Sequence, residues 1–470
     1  ALSRTEHRVT VEVHALDTPD QVLIGKATAS ALKLSSGRFA LRAGLTSGVA
    51  QVSVSDKVGN KSMVLSSEIA QDLGISSGDV VRVAATQRRL RIGPYVGVLT
   101  APQRKSAIPS RSFGRDTEYL RELCAAGKEL GLIAFVLPFD AVNLRTRRVF
   151  GRVPELRRGG RWHIREFPFP DVLFNRIPSR AHERSQQARR VINYALRQKS
   201  VHLFNQGFMD KWAVYAELSR HPDVRHMVPT TARFQGRPML KSWLRRFGSV
   251  YLKPSSGSLG EGIVVVEQTP NGVVCWFRNR RQKPVSEKAP NVDRIYGRIS
   301  RLIAGRRYLI QPDLRLLDVD GSPFDVRLLM QRNMSGKWLR TKMFARIARR
   351  GEYASNISRG GSGVPLDEVL ARVRPKQAQR VLRDVRKAGE VIARAVESTS
   401  QCPVGELGID IGIDRRLNLW LIEVNGKPHV DVVKPSTTDR AREASVRRPM
   451  EYAIYLYRNA LRDGRLRRQE

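Results

Sequence analysis

Apolar and polar residues alternate in short runs over the first 92 positions, at 9–13, 22–24, 49–54 and 80–83. A period of two sends successive side chains to opposite faces, so these runs predict half-buried strands. One helix interrupts them. Ser66 and Ser67 open a capped turn that Gly74 closes, and Ser77-Gly78-Asp79 leads into the next strand. Residues 1–92 are therefore expected to form a small β-rich, barrel-like domain with one short helix. From Tyr95 the pattern changes to strand and helix in alternation: strands at 95–100, 132–138 and 172–177, with a helix over 116–130. That is an α/β layer, 93–195. The remainder, 196–470, mixes helices and strands as an α+β unit. It has a helix over 211–218 with Asp210 at its N-cap, and strands near 250–254, 308–314 and 324–330. Leu370, Val373, Val381, Val385, Ala388, Ile392 and Val396 recur at helical spacing, predicting one long helix over 366–398. Two apolar runs, 407–413 and 417–424, flank the polar turn Asp414-Arg415-Arg416 and read as a hairpin. A closing helix is expected over 449–461, with Tyr452, Leu456 and Ala460 on one face.

Composition narrows the class. A chain of 470 residues, 41% hydrophobic and 27% charged, is that of a folded globular protein with about three domains. No apolar run approaches the ~20 residues of a membrane span. The first seven residues lack the apolar core of a signal peptide. Cys124, Cys275 and Cys402 lie far apart with no C-x-x-C pair, which argues against a zinc or disulfide framework and for a reducing cytoplasm. The formal charge of +39, from 83 Lys and Arg against 44 Asp and Glu, invites an anionic partner such as a nucleotide, a cell-wall polymer, nucleic acid or acidic lipid. Basic runs such as 145–148 are short, however, and aromatic residues make up only 7%, so base-stacking platforms are not evident. Solubility is the reading favoured for that charge, and a structural or partner-docking role for the N-terminal barrel over DNA reading.

The candidate chemistry is concentrated in the last 260 residues. Asp410, Glu423 and Asn425 place hard oxygen donors where the hairpin would otherwise be apolar. Glu423 and Asn425 are two apart and share a face, and pairing across the hairpin can add Asp410. Two carboxylates and an amide suit Mg²⁺, which keeps waters and shares its sites with phosphates. Lys253 ends an apolar strand and enters a loop containing Ser256, Gly257, Gly260 and Gly262. Strand, glycine loop and strand make a flap whose N–H groups can close over phosphate. It is not a Walker loop, because no G-x-x-x-x-G-K-[ST] is present. Lys211 stands at a helix start whose dipole is already positive, a conflict that a bound phosphate repairs. Asp325 and Arg327 share a strand face, Lys342 and Arg346 follow on the next strand, and 355–363 form a second polar, glycine-rich loop. Asn175, Arg176 and Arg180 stand at a strand end, where ligands bind in such sheets. Lys427 and His429 follow just beyond Asn425 and read as ordinary loop residues.

The order of these parts resembles an ATP-grasp domain over about 196–470: Asp-Lys helix start, Lys-Pro strand with Ser/Gly flap, strand pair, Ser-Asn-x-x-Arg-Gly-Gly loop, long helix, Gly-Ile-Asp strand and Ile-Glu-Val-Asn. The whole chain resembles the YheC/YheD family of endospore coat-associated ATP-grasp proteins from spore-forming bacteria. The resemblance implies two α+β subdomains clasping ATP, preceded by an α/β pre-ATP-grasp domain. It implies Lys211 and Lys253 on the phosphates, the 257–262 flap above them with Ser256 beside it, and Gln311, Pro312 and Asp313 as the hinge beside adenine. Asp325 and Asn356 would lie near ribose, phosphate or metal. Asp410, Glu423 and Asn425 would hold Mg²⁺, as two ions. Many relatives have an acidic hinge residue where this chain has Gln311-Pro312, so adenine contacts there are expected through the backbone. The implied reaction joins an unidentified carboxylate to an amine or thiol through an acylphosphate, with Arg327 and Arg359 steadying the transferred group. An ATP-grasp phosphotransferase is the alternative enzyme. A basic coat or DNA-associated protein that binds ATP without turnover is the alternative from another class. Spore-coat partners rest on the resemblance alone.

Overall fold

The period-two alternation of the N-terminal stretch closes on itself. In the computed structural model, which describes residues 6–86, 88–103, 112–157, 159–256, 261–279, 283–348, 363–428 and 439–462, strands from Glu6–His14 to Arg89–Ile92 form a closed barrel. Its inward positions are the alternating apolar ones, among them Val9, Val11, Val22, Ile24, Val81 and Val83, all buried. The helix Ser67–Leu73 is capped as expected, Ser66 accepting a hydrogen bond from the Ile69 N–H. A second helix, Lys26–Leu32, corrects the expectation of only one. Its N-cap is Gly25 with no side-chain cap, so it carries none of the usual start signals.

The barrel docks on the next sheet through the C-terminus of its capped helix. Arg165 donates to the Gly74 carbonyl at 2.6 Å, and the Tyr95 hydroxyl donates to the Leu73 carbonyl at 2.9 Å. Two needs met by these contacts are partners for a helix's last carbonyls and positive charge at its negative end. Gly74 has φ 63°, and a Cβ there would lie 2.1 Å from the Glu166 carbonyl oxygen. Gly74→Ala is therefore expected to lower the thermal midpoint by the equivalent of at least about 1–2 kcal/mol, the left-handed penalty before overlap is added.

The sheet that receives the barrel has a parallel centre. Ile133–Pro138, Tyr95–Thr100, Val172–Asn175 and His202–Phe204 lie side by side in that order, with antiparallel strands such as Arg148–Pro154 at one edge. The helix Thr117–Glu129 covers one face.

Two further sheets complete the α+β part. One is antiparallel, in the order Ala232–Arg233, Tyr308–Pro312, Ser249–Pro254, Val264–Thr269, Gly272–Arg278 and Pro284–Ala289. The helices Arg237–Phe247 and Val292–Ile303 pack on it through Leu240, Leu244, Ile295 and Ile299. The other runs Gly363–Val364, Trp338–Ile347, Ser322–Arg332, Glu406–Ile413 and Leu419–Asn425. Its apolar face is covered by Ala378–Ser398, whose Val381, Val385, Ala388, Ile392 and Val396 are buried, the larger of them worth about 1.5–3 kcal/mol each. The long helix expected over 366–398 is in fact two, Leu366–Val373 and Ala378–Ser398. Pro375 disfavours helical backbone at the residue before it, and Arg374 sits at φ −149°, ψ 60°.

The closing helix differs in the opposite sense. It runs Asp439–Arg462, with Pro449 inside rather than at its start. An interior proline leaves the carbonyl four residues earlier without its donor. Here that carbonyl, Ser445, accepts from Gln331 Nε2 at 2.9 Å, so the neighbouring sheet satisfies what the helix lost. Met450, Tyr452, Ala453 and Leu456 pack this helix against the parallel sheet's layer, and Tyr452 meets Phe204 edge-on at 5.4 Å. Among the described residues no helix is long and apolar enough to cross a membrane.

Candidate active site

Cross-strand register places the chemistry in one row. Asp410 lies directly opposite Glu423 and Gly408 opposite Asn425, so the two acids and the amide leave one face of the hairpin. The ladder is irregular just after Asp410, where the register shifts. On the other side Arg327 is opposite Asp410, and one strand further Arg346 is opposite Asp325. Gly408 has to be glycine for this row to fit: a Cβ there would come within 2.7 Å of Arg327 Nη1.

Charge in the row is tightly shared. Arg346 holds Asp325 with two parallel hydrogen bonds of 2.6 and 2.7 Å, and its Nη2 also lies 2.9 Å from Asp410 Oδ2. Asp325 is 1% exposed and Asp410 4%. Burial pushes the Asp325 carboxyl up to about 6, with Arg346 pulling it back. Burial also lowers the pKa of Arg327, with Asp410 opposing. Arg327 Nε is 2.9 Å from Asp410 Oδ1, yet off the hydrogen-bond axis, so this buried oxygen has no aligned donor.

That orphaned oxygen bears on the metal. Among the described residues no three His, Cys, Asp or Glu side chains gather as a metal cluster. Two facing carboxylates beside an amide, with one carboxylate oxygen uncommitted, still fit an ion that takes its remaining ligands from water and phosphate.

The two lysines converge on the same place. The Asp210 side chain caps its helix at the Ala213 N–H, 3.1 Å away, and Lys211 Nζ then lies 3.6 Å from Glu423 Oε2. Lys253 is pushed down to about 8, first by desolvation and then by the Lys211 ammonium. Ser255 Oγ is 3.1 Å from Asp210 Oδ2, joining the flap strand to the helix start. Ser256 lines the cavity, and the Gly262 carbonyl accepts from the Tyr308 hydroxyl at 2.8 Å. Gln311 is buried with Nε2 on Thr231 Oγ1 at 2.8 Å, and its strand continues through Pro312 to Asp313, whose N–H bonds the Ser249 carbonyl at 2.9 Å. Gly257, Gly260, Asn356, Arg359 and His429 lie outside the described residues.

A cavity of about 400 Å³ opens over the row. Arg327, Glu423 and Asn425 line it together with Arg180, Arg184 and Lys427. The Asn175–Arg180 stretch is thus at the cavity, where a network unseen in the sequence holds it. Arg176, 7% exposed, pairs with buried Glu406 at 2.7 Å and donates to the Pro428 carbonyl at 3.1 Å. Lys427 donates to Asn175 Oδ1 at 2.9 Å and pairs with Glu183, while burial brings it down to about 8. Asn205, at φ 54°, donates to the Glu406 and Gly426 carbonyls and accepts from the Gly405 N–H. The signals available for these were slight: a lone acid at the mouth of a buried strand for Glu406, and Asn-Gln-Gly after an apolar run for Asn205.

The chain is similar to several known proteins. The YheC/D-like ATP-grasp family matches residues 200–456. Endospore coat-associated protein YheD of Bacillus subtilis (strain 168) is 23% identical over 401 residues, spanning 85% of this chain and 87% of the relative. Endospore coat-associated protein YheC of the same organism is 23% identical over 362 residues, 77% of this chain and 98% of the relative. Among solved structures, D-alanyl-alanine synthetase A from Vibrio cholerae is similar with a TM-score of 0.44 at 12% identity, over 78% of this chain and 99% of that one.

Proposed function

This chain belongs to the YheC/D-like ATP-grasp family, and on that footing we propose that it is an ATP- and Mg²⁺-dependent ligase joining a carboxylate to an amine or thiol through an acylphosphate. The observation that carries the reading is the convergence of Lys211 and Lys253 beside Glu423. Two ammonium groups are held close enough for one to depress the other. Glu423 offsets part of that repulsion, and a nucleotide's phosphates would offset the rest.

The residues then divide the work. Lys211 and Lys253 bind the phosphates, with Ser256 and the 257–262 flap assigned to cover them. Gln311, Pro312 and Asp313 run beside the base. Asp410, Glu423 and Asn425 would hold Mg²⁺, as two ions. Bound Mg²⁺ supplies charge neutralisation, without which a carboxylate is repelled from the γ-phosphate. Arg327 steadies the transferred phosphoryl group, and Arg359 is assigned the same role. Asp325 acts on the site through Arg346, and Asn356 toward ribose or metal. We place the protein in the cytoplasm of a sporulating cell with spore-coat association, as the names of its two relatives suggest.

Two experiments test the reading. Purified protein should release ADP in a Mg²⁺-dependent manner when given pools of amino acids, peptides and cell-wall precursors, and Lys253→Ala should not. Mg-ADP binding without stimulated release by any pool would turn the assignment toward a binding protein. The second reads pH. An ammonium is needed for phosphate, and Lys253 in the free protein loses its proton around 8. Mg-ADP affinity should be flat below that pH and then fall, by up to about tenfold per pH unit, until the raised pKa of the bound state is passed. A flat profile to pH 9.5 by calorimetry would remove Lys253 from the phosphate site.

A further inference from the structure

The cavity has a cationic end that the phosphate and metal chemistry leaves unused. Arg180 and Arg184 open and close the short helix Arg180–Arg184, so they stand four residues apart on one face. Both line the cavity. Like charges so spaced repel, and the Arg180 pKa is lowered, by burial first and by Arg184, with Asp210 opposing.

Arg180 is nevertheless held in place. Its Nη2 donates to the Met209 carbonyl at 2.6 Å and its Nη1 to the Phe208 carbonyl at 3.4 Å, and the guanidinium lies 5.2 Å over the Phe208 ring. None of these partners is an acid. The acids whose fields reach it are Asp210, Glu183 and Glu423. Each has its own partner: Asp210 the Ala213 N–H and Ser255, Glu183 Lys427 and Asn175, Glu423 Lys211. Among the described residues neither Arg180 nor Arg184 has an ion-pair partner. A guanidinium oriented by carbonyls, backed by an aromatic ring and paired with a second one is preorganised for an anion with two or more oxygens.

Resting on the ligase reading, we infer that the substrate carries, besides the carboxylate that is activated, a second anionic group, carboxylate or phosphate, held by Arg180 and Arg184. The metal-binding row fixes one end of the substrate and this guanidinium pair fixes the other. Lys427 and Phe208 line the same cavity, the Lys427 ammonium 4.6 Å over the Phe208 ring. The substrate class is thus a dianion, and a simple monocarboxylate lacks half of its attachment.

Calorimetry on the full chain with saturating Mg-ADP tests this. The probes are the dicarboxylates from succinate to pimelate, their half-amides of equal length, and 4-phosphonobutyrate. At least one dianion should bind about tenfold or more tighter than its single-charge counterpart, the scale of one charged hydrogen bond. Arg184→Gln and Arg180→Gln should each erase most of that preference. Arg180→Gln also frees the Phe208 and Met209 carbonyls; if it fails to fold, exposed Arg184 carries the test alone. Whether glutarate or 4-phosphonobutyrate binds tighter identifies the anionic group. Equal binding of dianions and half-amides by the parent, or a preference that survives Arg184→Gln, overturns the inference. The ligase reading fails separately, by loss of fluorescent-ADP binding to the parent, and the dianion preference can still be measured in nucleotide-free protein.

Discussion

Glu423→Gln is expected to cut Mg²⁺-dependent ADP release by about 10²–10³-fold, the usual loss when one preorganised charge is removed from a reacting centre. The substitution keeps the shape of the side chain, and Glu423 is at the hairpin's cavity face with its side chain 19% exposed, so folding should be little affected. Its charge has two roles. One is toward Mg²⁺ beside Asp410; the other is toward Lys211, 3.6 Å away. The two separate in a titration. Without the carboxylate, half-saturation by Mg²⁺ should rise about tenfold or more, the worth of one lost charged ligand contact. Metal-free ADP should bind no more weakly, because Lys211 then faces the phosphates with no competing acid. Lys253→Met should behave differently, weakening ADP with and without Mg²⁺. If Glu423→Gln left the Mg²⁺ dependence unchanged, the hairpin would not be the metal site.

Much of that row was legible because strand geometry is strict. Once 407–413 and 417–424 read as a hairpin, period two decided that Glu423 and Asn425 share a face, and direct pairing brought Asp410 to them. Lys211 was legible for a different reason, an energetic conflict between a cation and a helix start, and Asp210 does cap that helix. What escaped depends on partners far away in sequence. Arg346 was visible only as a basic residue on the next strand, yet it sits between Asp325 and Asp410, 21 and 64 positions away. Glu406 looked like the polar edge of an apolar run, but it is fully buried against Arg176, 230 residues earlier. Element ends failed where tertiary contacts replaced local signals, as at Pro449, whose missing hydrogen bond is supplied by Gln331. The uncapped helix Lys26–Leu32 failed because burial of Thr28, Ala29 and Leu32, rather than propensity, sustains it.

Arg346→Met should be the most destabilising single change in the site, by about 3–5 kcal/mol, the cost of stranding a buried ionic partner. Two carboxylates contact this guanidinium, and Asp410 also contacts Arg327. Asp325 is nearly inaccessible and receives both parallel hydrogen bonds; Asp410 receives the third contact. Methionine fills similar volume, so the loss would be electrostatic rather than a cavity. The sign with pH follows from the carboxyls. Burial already pushes Asp325 up to about 6 with Arg346 in place. With the cation gone, its proton is held more tightly still, and protonation removes the stranded charge. The folded variant then binds more protons than the unfolded chain above the ordinary carboxylate range, so its stability should rise as pH falls from 8 toward 5.5. The parent should gain less over the same interval, since Arg346 compensates its carboxylates. Asp325→Asn combined with Arg346→Met should recover part of the loss, as the pair is removed together. Denaturant unfolding of the parent, the two single variants and the double variant at pH 8 and 5.5 gives both quantities. An Arg346→Met defect that is independent of pH and simply additive with Asp325→Asn would mean that packing, and not charge, is what Arg346 contributes.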